Sequence, residues 1–144
     1  MGIAYICNPN RKLAVVVWDG LVTSDEWREH LQRMLIDPNY APMQSQITDL
    51  RYSSISPTIS HDQIKAMVDL MESQRKNISL SKFAIVAGSE WNKPQLAAFG
   101  LKSISVNPIV FNDLETACLW LGVDGEEVGK DIQQLRLKLR QGSS

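Results

Sequence analysis

Leu13-Ala-Val-Val-Val-Trp18 runs into Asp19-Gly-Leu-Val22 and then into Thr23-Ser-Asp-Glu26, and this stretch decides the fold. The first segment is apolar at every position and β-branched at its centre, which suits a strand covered on both faces. Asp19-Gly20 supplies a polar corner to end that strand. Thr23 and Glu26 stand at capping-box spacing, in which each side chain satisfies the other's unpaired backbone N–H at a helix start. Trp27, Leu31, Met34 and Leu35 then recur at i, i+4, i+7 and i+8, one apolar stripe on a helix over 24–36 that Asp37-Pro38 stops. Strand, polar corner and capped helix together make the βα unit of an α/β domain with a mainly parallel sheet.

The same plan repeats outward from this unit. Gly2 to Asn8 reads as a strand, and the turn chemistry of Asn8-Pro-Asn-Arg11 folds it back on Lys12 to Asp19 as an antiparallel hairpin. Gln46-Ile-Thr-Asp49 marks a third strand over 45–49, followed by a hydroxyl-rich loop, Leu50 to Pro57. Ser60-His-Asp-Gln63 is a second capping box, and Ile64, Met67, Val68 and Met71 give its helix a buried face that fades near Lys76. Lys82 to Ala87 is the next strand. Gly88 to Pro94 forms a loop that opens a third helix, carrying Leu96, Ala97 and Phe99 and ending at Gly100. Val106 to Phe111 is a short strand, kept to an edge by Pro108. Asn112 or Asp113 caps a helix bearing Leu114, Ala117, Cys118 and Leu121, which Gly122 ends. After Asp124-Gly125, the 4-3-4 spacing of Val128, Ile132, Leu135 and Leu139 predicts an amphipathic terminal helix over about 126–140. The expected architecture is one α/β domain over 1–122. Its mixed five-stranded sheet has an N-terminal hairpin plus mainly parallel βα units and about four helices. An extra C-terminal helix and tail occupy 123–144.

The composition excludes several classes. With 144 residues of which 44% are hydrophobic, the chain can bury one real core. A net charge of −1 is no footprint for nucleic acid or for an anionic membrane surface. The opening residues lack the basic start and apolar stretch of a signal peptide, and no apolar run approaches the ~20 residues of a membrane span. A cytoplasmic protein is expected. Cys7 and Cys118 lie far apart in apolar contexts, which reads as two buried thiols in preference to a redox pair.

In an open α/β sheet, ligands bind beyond the carboxyl ends of the strands. The corners at that edge bring together Asp19, then Asp49, Arg51, Ser53 and Ser54, then Ser89, Glu90 and Trp91, then Asn112 and Asp113. Asp49, Arg51, Ser53, Ser54 and Trp91 are therefore the expected ligand- or partner-binding residues. Asp49 and Arg51 read either as a clamp on the loop or as a recognition pair. Trp91, a large aromatic in a polar loop, reads as a contact residue or as a plug. Met34, Met43, Met67 and Met71 fit core filling, with an adaptable apolar cavity as the alternative. His30 and His61 have no partner at ligand spacing and are assigned surface or capping roles. No catalytic set, metal-ligand set or phosphate-cradling loop is present in the pattern, so no metal, cofactor or enzymatic activity is expected. The expected function is binding or regulation through a protein partner. The alternative is carriage of a small hydrophobic ligand. The stripe Val128, Ile132, Leu135, Leu139 must also find a surface: its own domain, or a second copy in a homodimer.

These segments resemble the SpoIIAA-like branch of the STAS superfamily, the sulfate transporter and anti-sigma-factor antagonist domains. The resemblance rests on the opening hairpin, Trp18 to Glu26, Thr48-Asp-Leu-Arg51, Lys82 to Ala87, and Val110-Phe-Asn-Asp113 leading into Ala117 and Trp120-Leu121. It spans roughly Ile3 to Leu121. It implies a regulatory domain in which a serine after the third strand accepts phosphate from a partner kinase. Ser53 and Ser54 are the matching positions, and Asp49-Leu-Arg-Tyr-Ser-Ser54 stands where the antagonists carry Asp-x-Ser-Gly. Some SpoIIAA-like relatives are similar to the CRAL-TRIO lipid-binding fold, which implies a hydrophobic ligand or membrane contact as the second role.

Overall fold

The computed structural model describes residues 2–56, 59–74, 78–91 and 108–142. Five strands form one sheet in sequential order: β1 (Gly2–Asn8), β2 (Leu13–Val22), β3 (Ser45–Ile55), β4 (Lys82–Val86) and β5 (Ile109–Phe111). β1 pairs antiparallel with β2, and every later pairing is parallel. Helices α1 (Ser24–Leu35) and α2 (His61–Ser73) share one face, while α3 (Leu114–Leu121) and α4 (Gly125–Gln141) cover the other. Parallel strands that advance in one direction with crossovers of one hand place their helices on one face, as α1 and α2 are. The helix expected over 94–100, residues 106–107 of the fifth strand, and the side chains of His61, Ile64, Val68 and Met71 lie outside the described residues.

The alternation of β2 divides the core. Ala14, Val16 and Trp18 point toward α1 and α2, where they meet Trp27, Leu31, Met34 and Met67. Leu13, Val15 and Val17 point the other way, onto Ala117, Cys118, Leu121, Val128, Ile132 and Leu135. Period-two alternation in a strand covered on both sides gives this double burial. Both helix starts on the first face are capped as the spacing predicts. Thr23 Oγ1 accepts from the Glu26 N–H at 3.2 Å while Glu26 Oε1 accepts from the Thr23 N–H at 3.0 Å. Ser60 and Gln63 exchange the same pair of bonds at 2.8 and 3.2 Å. Asp113, of the two candidates, caps α3, and Gly122 ends that helix at φ +74°.

Two boundaries differ from expectation, for one reason. β2 continues through Gly20 to Val22, and β3 continues through the expected loop to Ile55. Each extension pairs with the other, so neither segment has to stand alone. Gly20 takes φ +73°, a backbone state that a residue without Cβ adopts at little cost. Asp19-Gly20 thus bends the strand without ending it.

The terminal helix belongs to the same core. Val128, Ile132 and Leu135 are buried against β2 and its neighbours, and Leu139 packs beside them. Of the two surfaces open to the stripe, its own domain takes Val128, Ile132 and Leu135 whole and Leu139 in part, so the first three are not available as an oligomerisation seam. Leu137, off the stripe, is 50% exposed. Among the described residues no helix is long and apolar enough to cross a membrane.

Candidate functional site

The site starts from a β-bulge. Val17 lies opposite Asp49 and Asp19 opposite Tyr52, so Leu50 and Arg51 of β3 together face the single residue Trp18 of β2. A bulge bends its strand and re-aims side chains. Leu50 drops into the α1–α2 core, while Asp49 lies fully buried on the α4 side. Asp19 reaches that same side from β2.

Two carboxylates buried beside each other need compensating charge. Arg51 grips Asp49 bidentately, Nε to Oδ1 at 2.9 Å and Nη2 to Oδ2 at 3.0 Å, and its backbone N–H donates to Oδ1 as well. From α4, Arg136 donates to Asp49 Oδ2 at 2.8 Å and lies 3.6 Å from Asp19. One turn on, Arg140 donates to both Asp19 oxygens at 3.2 Å. Burial alone would raise the Asp49 carboxyl, but the hydrogen bonds from Arg51 and Arg136 outweigh it and hold that group below the usual carboxylate range. The paired carboxylate in turn raises Arg51. Asp49 and Arg51 thus form a part-buried ion pair within β3, to which the terminal helix adds Arg136 on Asp49 and Arg140 on the neighbouring Asp19.

This charged frame supports an aromatic residue that sequence reasoning did not single out. Tyr52 is 58% exposed, and its ring lies 4.5 Å from the Arg136 guanidinium carbon and 5.7 Å from that of Arg51. Leu21, half-exposed, pairs with Ser54 on the adjoining ladder. Together with Gly20, Ser53 and Glu90, these residues line an open depression of about 240 Å³. One signal for the frame was present in the sequence: Arg136 and Arg140 follow Ile132 at spacings of four, so basic residues continue the buried side of α4 and demand acidic partners on the sheet.

Ser53 and Trp91 have a different role from the one expected. The Ser53 hydroxyl is buried and donates to the Leu50 carbonyl at 2.9 Å. The Trp91 indole is 5% exposed, packs edge-on to Trp18, and donates to the carbonyls of Leu50 and Ser53 at 3.1 and 3.0 Å. Both acceptors lie in the part of β3 beyond its pairing with β4, which ends at Asp49, and a buried carbonyl left unpaired is costly. Trp91 is therefore the plug that fixes the bulge; it is no open contact residue. Ser54 remains half-exposed at the rim.

The other chemistry-bearing residues lie elsewhere. His30 is buried, against the expected surface role, and sits edge-on to Tyr5 at 5.7 Å. Burial, with Arg33 adding to it, lowers its pKa to about 3, so the ring stays neutral. Burial, with Asp37 adding to it, raises the Cys7 thiol to about 11, far from the thiolate that nucleophilic chemistry requires. Cys7 and Cys118 are both free. Met34, Met43 and Met67 fill the core. Among the described residues no group of three His, Cys, Asp or Glu side chains is placed to hold a metal.

No family model matches the chain, and no curated protein matches it in sequence. Solved structures do. An uncharacterised protein of the DUF3478 family with a SpoIIAA-like fold, from Shewanella loihica PV-4, superposes with a TM-score of 0.55. The match covers 83% of this chain and 93% of that one at 16% identity. A sequential mixed sheet opened by an antiparallel hairpin, with helices on both faces, is thus a SpoIIAA-like fold.

Proposed function

We propose that this chain is a cytoplasmic, non-enzymatic binding domain that regulates or is regulated through contact with another protein. The contact surface is the carboxyl edge of β2 and β3, with Tyr52 as its anchor and Leu21, Arg51 and Ser54 around it. One observation carries this reading: Tyr52 is exposed, yet its ring is braced by guanidiniums that are themselves fixed by buried carboxylates. An exposed aromatic held in place before binding loses little entropy on contact, and Tyr and Arg dominate binding hot spots.

The alternative, a carrier of a small hydrophobic ligand, needs an apolar chamber. Among the described residues, the apolar side chains that face the sheet from either side pack on one another around Trp18 and Ile132, which favours the contact reading. Native mass spectrometry of the protein purified gently from its source separates the readings. A complex with a second polypeptide that is lost in Tyr52→Ala supports the proposal. A retained small apolar molecule, unaffected by that substitution, overturns it in favour of the carrier.

A further inference from the structure

At the N-terminal end of α4, away from the Arg136 that braces Tyr52, the structure holds a second surface. Helix α3, Leu-Glu-Thr-Ala-Cys-Leu-Trp-Leu, is apolar nearly all round. Its inner face, Ala117, Cys118 and Leu121, is buried. Its outer face carries Leu119, which at 74% exposure is the most exposed large apolar side chain among the described residues. A helix apolar on both sides is ordinarily covered on both. Leu119 borders a groove of about 480 Å³ between α3 and the start of α4, floored by Leu114, Cys118 and Val123. That volume lies in the ~300–1,000 Å³ range of ligand-binding clefts.

The rim states the charge of what fits. Among the described residues, Glu115, Asp124 and Glu126 line the groove, no basic residue does, and none of the three forms an ion pair. An acidic rim repels an anionic membrane or a fatty-acid carboxylate and attracts lysine and arginine. Leu119 extends the apolar surface beyond the hollow, which suits a polypeptide segment covering groove and helix together. We propose that this groove is a second docking site, taking an amphipathic segment of a partner protein with one or two large apolar side chains flanked by basic residues.

The probe is a synthetic amphipathic helix of leucine and lysine, titrated into the ¹⁵N-labelled full chain, with a leucine–glutamate helix as its counterpart. The expected result is a set of amide shifts centred on Leu119, Val123 and Glu126 for the basic probe alone. Leu119→Ser should weaken that binding at least about tenfold without lowering the melting temperature, since the side chain is already exposed. Glu115→Lys combined with Glu126→Lys should reverse the preference toward the acidic probe. Shifts confined to other surfaces, or a preference that survives charge reversal, overturn the proposal. So does a wild-type dimer that Leu119→Ser converts to monomer, because the groove's occupant is then a second copy.

Discussion

Replacing Arg136 by methionine keeps the apolar stem of the side chain and removes its charge. In the structure the guanidinium donates one 2.8 Å bond to a fully buried carboxylate, pairs more loosely with Asp19, and braces the Tyr52 ring. A hydrogen bond to a charged group contributes about 1.5–3 kcal/mol, and the ring contact about 0.5–1. Asp49 keeps its bidentate bond to Arg51, so the full cost of an orphaned buried charge, ~3–5 kcal/mol, is not reached. The expected loss is about 2–4 kcal/mol, read as a change in urea midpoint at constant slope. The sign of the pH dependence follows from Asp49. Its folded-state pKa is lowered, so its contribution is fully present above the unfolded value of roughly 3.9 and fades as pH falls through the folded value. Wild type and Arg136→Met should therefore converge in stability as pH drops below about 4. A loss under about 1 kcal/mol at neutral pH, the size of an exposed ion pair, would refute the clamp. A gap that widens in acid would refute it equally.

Trp91→Phe should keep the packing on Trp18 but remove the buried N–H that the Leu50 and Ser53 carbonyls accept, costing about 1–3 kcal/mol in chemical denaturation; an unchanged midpoint contradicts the plug. Phosphate added by a cell extract should fall on the half-exposed Ser54 and not on the buried Ser53, so Ser54→Ala abolishes the mass gain that Ser53→Ala leaves; the reverse pattern contradicts the burial argument. Truncation after Asp124 strips three buried side chains, each contributing about 1.5–3 kcal/mol, from a domain whose whole stability is of order 5–15. It should abolish cooperative melting in circular dichroism, and a folded truncated chain with an unchanged melting temperature contradicts the integral role of α4.

The fold was legible because its cues are local. The β-branched run of β2, the reciprocal caps at Thr23–Glu26 and Ser60–Gln63, and the 4-3-4 stripe of α4 each follow from backbone hydrogen bonding and periodicity. The site was legible in place but only partly in composition. Asp49, Arg51 and Ser54 stand at the expected edge, since strand polarity alone delivers them there. Tyr52 was missed because Leu50 to Pro57 read as a loop; even as a strand, Leu50 and Arg51 share one position, so period-two counting from Asp49 would put its ring on the wrong face. Trp91 and Arg140 work across separations of 38 and 121 residues, which no local pattern encodes. Trp91 stayed open between contact residue and plug because the polarity of its neighbours gave no hint that the Leu50 and Ser53 carbonyls take its N–H.

The central claim is that a partner protein docks on Tyr52. The direct measurement is photo-cross-linking in the source cell with p-benzoylphenylalanine at position 52, and at position 137 as an exposed control on α4. The account predicts one discrete polypeptide adduct from position 52, none from 137, and loss of the position-52 adduct when Leu21 is also changed to Asp. Equal labelling from both positions, or an adduct from 137 alone, would contradict it.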